Sequence, residues 1–145
     1  MAERVAGYYR PRLPTHANTI VIDVVAPSAG PVMLGDSVLL EWALEAMVKN
    51  AIDALQGRGG AITIVATAEG NEAMLRVSDD GPGVPRELRR TIFEPGITTK
   101  RGGWGIGLAL ARRVIEDAHE GRLALESTDR GTTFLMRFPL ASTVA

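Results

Sequence analysis

The chain has 145 residues, a length that suits one domain. Hydrophobic residues make up 46% and charged residues 23%, the balance of an ordinary globular domain, so disorder is excluded for the bulk of the chain. The net charge is −1, and we therefore expect neither nucleic acid nor an anionic membrane as a partner. There is no cysteine and there are only two histidines, which excludes disulfides, thiolate catalysis and cysteine-based metal sites and argues against a multi-histidine metal centre.

The N-terminal segment, residues 1–17, is basic, aromatic and interrupted by proline. We expect it to be a connector from an upstream domain that this chain lacks, outside the core. It has no apolar stretch of signal-peptide length, and nowhere do about 18 uncharged apolar residues follow one another. The sequence therefore predicts a cytoplasmic domain without direct membrane contact, even if its parent protein is membrane-anchored.

The first predicted elements are a strand and a long helix. Residues 18–25 are rich in β-branched side chains and predict a strand, followed by a turn at 27–30 and a short second strand at 32–34. Asp36 is a favourable N-cap residue, and it predicts the start of a helix over 37–55.

The predicted helix 37–55 has two different faces. At 100° per residue, its apolar side chains share one broad arc that should pack on a sheet. Ala46, Asn50 and Asp53 lie on another side, within about 60° of Asn50. The helix therefore presents Asn50 and Asp53 together to something other than the core.

The rest of the chain predicts two hairpins around a glycine-rich stretch and a second helix. Four β-rich runs form the hairpins: 61–68 with 72–78, and 122–127 with 132–138. The helix should run from Leu108 to about Ala118. This order predicts an α/β (α+β) two-layer sandwich, with a mixed, largely antiparallel sheet and helices on one face.

The glycine-rich stretches could bind phosphate. Glycines cluster at 81 and 83 and again from 102 to 107, where backbone N–H groups and the N-terminus of the second helix could meet an anion. Residues 84–113 carry seven basic and two acidic side chains, an excess that suits a polyphosphate. A flexible surface loop beside a solvated helix face is the alternative, since single glycine motifs are weak signals. The chain has no GxxxxGK[ST] motif, which excludes a P-loop NTPase, and no βαβ unit contains the glycine run, which disfavours a dinucleotide fold.

The order of the motifs is more specific than any one of them. The series is Asn50 with Asp53, Asp79–x–Gly81–x–Gly83, Phe93, Gly103–x–Gly105–x–Gly107 and Gly131–Thr132. It closely resembles the N, G1, F, G2 and G3 boxes of the ATP-binding catalytic domain of sensor histidine kinases, in the GHKL superfamily, over about residues 18–140. The resemblance implies a Bergerat-type ATP-binding fold, with a kinase catalytic domain at 18–141 and a tail at 142–145.

The resemblance also implies roles for individual residues. Asn50 matches the ligand of Mg²⁺, and Asp79 matches the carboxylate that accepts a hydrogen bond from the adenine 6-amino group. Thr132 matches a threonine that helps to hold adenine, with an ordinary surface strand threonine as the alternative.

Residues 95–104 resemble the lid over the nucleotide, with Phe93 as its apolar hinge. Lys100 is the cation best placed for the γ-phosphate, and a solvent-exposed lysine is the alternative. Trp104 is a departure, because the matching position is usually small. The residues expected at the nucleotide are Asn50, Asp53, Asp79, Gly81, Gly83, Phe93, Lys100, Gly103, Trp104, Gly105, Gly107, Leu108 and Thr132.

Ala46 separates this chain from the hydrolytic members of the superfamily. Those members carry a water-activating glutamate four residues before the Mg²⁺ asparagine, and here that position is Ala46. Glu45 is about 140° around the helix from Asn50. A histidine kinase needs no such base, because an imidazole is itself a nucleophile. Glu45 is a candidate catalytic residue that assists the incoming histidine, with an i,i+4 salt bridge to Lys49 as the alternative.

The sequence thus predicts a protein-histidine kinase domain that binds ATP or ADP with Mg²⁺. It would transfer the γ-phosphoryl group to a histidine on a separate helical dimerisation domain and serve a response regulator indirectly. Neither His16 nor His119 lies in the HE-rich helix that an acceptor needs, so the chain alone should be inactive. The alternatives are a GHKL-type protein serine kinase or ATP hydrolase, and a non-catalytic module whose interactions depend on nucleotide.

Overall fold

The structure is a computed structural model that describes residues 1–14, 18–26, 35–94, 107–128 and 130–140. The predicted turn at 27–30, the strand at 32–34 and the lid at 95–104 fall outside these residues. The helices and strands are α1 Ala2–Tyr9, β1 Ile20–Val25, α2 Ser37–Leu55, β2 Gly60–Glu69, β3 Glu72–Asp79, α3 Gly107–Glu116, β4 Arg122–Thr128 and β5 Gly131–Pro139. Short 3₁₀ helices follow at Arg10–Arg12 and Arg86–Leu88. The predicted strand at 18–25, both predicted helices and both predicted hairpins are confirmed, with ends that agree within one or two residues.

The five strands form one mixed sheet in the order β1-β2-β3-β5-β4. β1 and β2 are parallel, whereas the other three neighbouring pairs are antiparallel. Ile64, Val77 and Phe134 stand side by side on adjacent strands, and each is at most 1% exposed. They share the hydrophobic core with the helices, since α2 packs on β2 and β3 and α3 packs on β4. The predicted two-layer arrangement is confirmed.

The long helix α2 begins where its N-cap predicts. The Asp36 carboxylate accepts hydrogen bonds from the N–H groups of Val38 at 2.9 Å and Leu39 at 3.1 Å. These bonds satisfy donors that the first helical turn leaves without partners. The predicted apolar arc is the buried face of the helix: Leu40, Ala43, Leu44, Met47, Val48, Ala51, Ile52 and Leu55.

The N-terminal segment belongs to the core, so the expectation that it lies outside the core is wrong. α1 buries Val5 and Ala6 in the same cluster as α2, and Leu13 joins them. The Arg10 guanidinium donates to the carbonyl oxygen of Ile22 from Nε at 3.2 Å and from Nη2 at 3.0 Å, which fixes the segment to β1. The predicted connection to an upstream domain remains a prediction. Within the part of the chain described, no helix is long and apolar enough to cross a membrane.

Candidate functional site

The centre of the candidate site is Asp79, the last residue of β3. Its side chain is buried, with 7% of the residue exposed, and Oδ1 accepts a hydrogen bond from the N–H of Gly81 at 2.9 Å. Burial raises the pKa of Asp79 above its ordinary value, and the charge of Asp80 adds to this, although the N–H groups of Gly81 and Thr132 favour the ionised form. A carboxylate accepts about four hydrogen bonds, so capacity remains for an N–H donor from a ligand.

The β4–β5 hairpin comes unusually close to this carboxylate. Thr132 is the register partner of Asp79 on β5, and it is only 5% exposed. Gly131 has a φ of +149°, and a Cβ atom there would lie 2.1 Å from the carbonyl oxygen of Asp79. Only glycine fits this close approach. Gly131 and Thr132 therefore lie directly beside Asp79, and their contact with nucleotide stays a prediction.

The loop after Asp79 packs on α2. A Cβ atom on Gly81 would lie 2.8 Å from Oδ1 of Asp79 and 3.4 Å from Cβ of Ala54, so this glycine lets the loop pass between the carboxylate and the helix. Gly83 has a φ of +80°, a conformation that glycine adopts without strain. Asp80 is exposed as predicted, and its Oδ1 also accepts from the N–H of Ala61 at 2.9 Å, which ties the end of β3 to the start of β2.

Asn50 lies on the same side of α2 as this loop contact. Ala54 follows Asn50 by four residues, which is about 6 Å along the helix axis and about 40° around it. Asn50 is half-buried, and none of the residues described by the structure forms a hydrogen bond with its side chain. Ala54 thus links the two predicted site residues, because it meets the loop after Asp79 and lies one helical turn beyond Asn50. The 40° offset of Ala54 from Asn50 follows from the helical period, but the sequence does not indicate that the loop packs there.

The environment of Glu45 differs from the predicted one. Among the ion pairs that the described residues form, none joins Glu45 to Lys49, so that predicted salt bridge is wrong. Glu45 instead affects Tyr9 on α1. Burial raises the pKa of the Tyr9 hydroxyl, and the negative charges of Glu45 and, more weakly, Asp53 raise it further. Ala46 is half-buried and packs against the core.

Phe93 packs on β5, against a residue that lies two positions beyond the register partner of Asp79. Its ring meets the buried ring of Phe134 edge to face, with centroids 6.0 Å apart and planes at 72°. Phe134 lies two residues after Thr132 on the same side of β5, which is about 7 Å along the strand. The structure therefore places Phe93 beside the predicted adenine site.

The glycine-rich stretch is described only where α3 begins. Gly107 is the exposed first residue of α3, and among the described residues no atom would lie within 4 Å of a Cβ atom placed there. Leu108 is half-buried against the core. The remaining candidates of this stretch, Lys100, Gly103, Trp104 and Gly105, lie outside the described residues.

His119 is a structural residue. It is 8% exposed, Nε2 accepts from the N–H of Asp36 at 2.9 Å, and Nδ1 donates to the carbonyl oxygen of Val114 at 2.7 Å. Both nitrogens are thus engaged in joining the end of α3 to the start of α2. His16 lies outside the described residues.

Comparison with known proteins agrees with this geometry. The family model described as "Histidine kinase-, DNA gyrase B-, and HSP90-like ATPase" matches residues 35–142. The sensory histidine kinase/phosphatase NtrB of Salmonella typhimurium is 34% identical over 150 residues, covering 97% of this chain and 42% of that protein. The C4-dicarboxylate transport sensor protein DctB of Rhizobium meliloti is 32% identical over 133 residues, covering 91% of this chain and 21% of that protein.

Solved structures show the same fold. The catalytic domain of histidine kinase ThkA superposes with a TM-score of 0.82 at 28% identity, covering 94% of this chain and 88% of that one. Full-length ShkA in complex with AMPPNP gives a TM-score of 0.82 at 29% identity, covering 99% of this chain and 30% of that one. The chain spans less than half of the length of the two curated relatives. The resemblance seen in the motif order is confirmed, and the chain belongs to the histidine kinase-, DNA gyrase B- and HSP90-like ATPase family, as a catalytic ATP-binding domain of the sensor histidine kinase type.

Proposed function

We propose that this domain binds Mg·ATP and transfers the γ-phosphoryl group to a histidine on a separate helical phosphoacceptor domain. The observation that carries the nucleotide assignment is the buried Asp79 carboxylate at the end of β3. A buried charge is stable only when donors surround it, and the 6-amino group of adenine would supply one more donor. Guanine presents a carbonyl oxygen at that place, and two acceptors would then face each other. The site should therefore select adenine nucleotides over guanine nucleotides.

The phosphates would lie toward Asn50 and the N-terminus of α3. Helix N-termini favour anions because their N–H groups lack partners and the helix dipole is positive there. Gly107, the first residue of α3, is exposed and carries no side chain that would keep a phosphate away from the backbone.

Magnesium fits the donors that are present. No group of three or more His, Cys, Asp or Glu side chains among the described residues could hold a metal by itself. Mg²⁺ commonly takes one or two protein oxygens and completes its shell with nucleotide phosphates and water. The Asn50 amide oxygen, which no described residue engages, is a suitable ligand of this kind. When bound, Mg²⁺ would neutralise charge on the phosphates.

The acceptor would be an imidazole from outside the described residues. An imidazole nitrogen would attack the γ-phosphorus, the bond from that phosphorus to the bridging oxygen would break, and ADP would leave. His119 does not suit this role, because both of its nitrogens are hydrogen-bonded within the fold. The related kinase ThkA has been solved in complex with the response regulator protein TrrA, which supports a response regulator as the indirect partner. A cytoplasmic location, where the domain would meet ATP and a response regulator, is part of the same proposal.

Hydrolysis of ATP by water is disfavoured at this site. Ala46 supplies no base that could activate a water molecule. The neighbouring carboxylate, Glu45, acts instead on Tyr9, whose pKa is raised by burial and then by the charge of Glu45. Histidine transfer needs positioning and charge stabilisation more than a protein base. The same reasoning disfavours the hydrolase alternative.

The test is incubation with γ-labelled ATP, with and without the histidine-containing domain of NtrB. We expect acid-labile label on the added domain only, and none when Asn50→Ala replaces the unaltered chain. Ala46→Glu should add slow phosphate release, since it places a carboxylate four residues before Asn50. Steady phosphate release by the unaltered chain, or label on His119, would contradict the proposal.

A further inference from the structure

Phe93 is held from two sides. Phe134 lies against the edge of its ring at a centroid distance of 6.0 Å, and the guanidinium carbon of Arg112 lies 5.4 Å from its centroid. The second distance is within the range in which a cation is attracted to an aromatic face. A residue of α3 therefore completes the packing of a ring that belongs to a different part of the chain.

Arg112 is itself fixed in place by Glu116. Its Nε donates to Oε1 of Glu116 at 2.9 Å, and Oε2 of Glu116 accepts from the N–H of Leu123 at the start of β4 at 3.1 Å. Burial opposes the charge of Glu116, but the Leu123 N–H and Arg112 outweigh it, so the pKa of Glu116 is lowered. The guanidinium is thus oriented by a carboxylate that is anchored on the sheet.

A continuous series of contacts results. It runs from β4 through Glu116 and Arg112 to Phe93, and from Phe93 to Phe134 on β5. Phe134 lies two residues beyond Thr132, the register partner of Asp79. The position of the Phe93 ring therefore depends on α3 on one side and bears on the adenine-binding end of β5 on the other.

We propose that Arg112 is a positioning residue for nucleotide binding, which holds the Phe93 ring against Phe134 beside the Asp79 site. The inference rests on the proposed nucleotide function and assigns Arg112 no contact with the phosphates. Its effect therefore passes through the aromatic ring and is the same for ATP and for adenosine.

The same helix supplies a matched control. Arg113 also forms an i,i+4 ion pair, with Asp117 at 3.8 Å, but its side chain is 77% exposed. None of the ring contacts formed by the described residues includes Arg113. Replacing Arg113 removes the same charge and the same kind of ion pair while leaving Phe93 covered.

The experiment measures dissociation constants for ATP and adenosine by calorimetry, with urea unfolding in parallel. The variants are Arg112→Ala, Arg112→Lys, Arg113→Ala, Phe93→Leu and the Arg112→Ala/Phe93→Leu double variant. Arg112→Ala should weaken both ligands equally, by about two- to fivefold. Arg112→Lys should restore part of the loss, and Arg113→Ala should bind both ligands as the unaltered chain does. In the Phe93→Leu background, Arg112→Ala should have no further effect on binding.

Three results would overturn the inference. They are unchanged binding in Arg112→Ala, a loss for ATP without one for adenosine, and an equal loss from Arg112→Ala in the Phe93→Leu background. The second result would indicate a direct phosphate contact, and unchanged binding together with a lower free energy of unfolding would indicate a merely structural role. If the unaltered chain bound neither ligand, the proposed function itself would be refuted, which is a distinguishable outcome.

Discussion

Replacing Asp79 by Asn tests the adenine assignment most directly. The two side chains have nearly the same size, and the Asn oxygen can still accept from the N–H of Gly81, which now donates to Asp79 at 2.9 Å. The Asn amide group, however, is a donor. It would face either the N–H groups of the fold or the 6-amino group of adenine, so one favourable contact must be lost.

The expected loss of affinity follows from the strength of the missing bond. A hydrogen bond to a charged group contributes about 1.5–3 kcal/mol, which corresponds to about a ten- to 150-fold weaker affinity for ATP and for ADP. Affinity for a guanine nucleotide should not fall, because the unaltered carboxylate has no donor to accept from at that position.

The same substitution should also change how the stability of the nucleotide-free fold depends on pH. Burial raises the pKa of Asp79 above its ordinary value of 3.8, so the ionised carboxylate costs stability at neutral pH. For a raised pKa, the stability contributed by the protonated form is fully present below the unfolded pKa and is lost as pH rises through the folded pKa. The free energy of unfolding of Asp79→Asn should therefore rise relative to that of the unaltered chain as the pH rises through this window.

Calorimetry with ATP, ADP and GTP measures the affinities, and urea unfolding at a series of pH values measures stability without nucleotide. Equal ATP affinities for the two proteins would remove Asp79 from the adenine site. If the stability of Asp79→Asn relative to the unaltered chain did not improve as the pH rose, the argument from the raised pKa of Asp79 would be wrong.

Three further substitutions test other parts of the site. Asn50→Ala should abolish the Mg²⁺-dependent tightening of ATP binding and leave adenosine binding intact, since the metal would act on the phosphates. Calorimetry with both ligands checks this, and an equal loss for both would indicate a disrupted helix. Gly131→Ala should destabilise the fold by more than about 1 kcal/mol in urea unfolding, because its Cβ would collide with the Asp79 carbonyl at a positive φ. His119→Ala removes the two hydrogen bonds by which the ring links Asp36, at the start of α2, to Val114 in α3, and it should cost about 1–3 kcal/mol in the same assay. The adenosine affinity of the folded His119→Ala variant should be unchanged, and a large loss there would contradict a purely structural histidine.

The elements predicted correctly are those whose signals are local. α2 carries its own start, since the Asp36 carboxylate caps Val38 and Leu39 within three residues. The hairpins are similarly defined by β-branched runs that are separated by short turns. Such patterns need no knowledge of the rest of the molecule, because the interactions that stabilise them join residues close in sequence.

The N-terminal helix was misjudged because its stability comes from distant contacts. Val5 and Ala6 are the buried residues of α1, and the charged and aromatic residues around them resemble a linker. Arg10 reaches Ile22, 12 residues away, and Arg4 pairs with Glu41 at 2.8 Å. None of these partners can be identified from the segment itself. The i,i+4 rule likewise considers one helix alone, whereas Glu45 acts electrostatically on Tyr9 of α1 and forms no ion pair with Lys49 among the described residues.

For the site, the order of the motifs predicts which residues belong together but not which atoms they contact. The order of the boxes correctly brought Asp79, Gly81 and Gly131 together, but it could not say what each glycine must approach. In the structure Gly131 meets the backbone of Asp79, whereas Gly81 meets its carboxylate and Ala54. Because Ala54 lies one helical turn beyond Asn50, α2 fixes the proposed magnesium ligand and supports the adenine loop at once. A small shift of this one helix would therefore alter both ends of the proposed nucleotide site together.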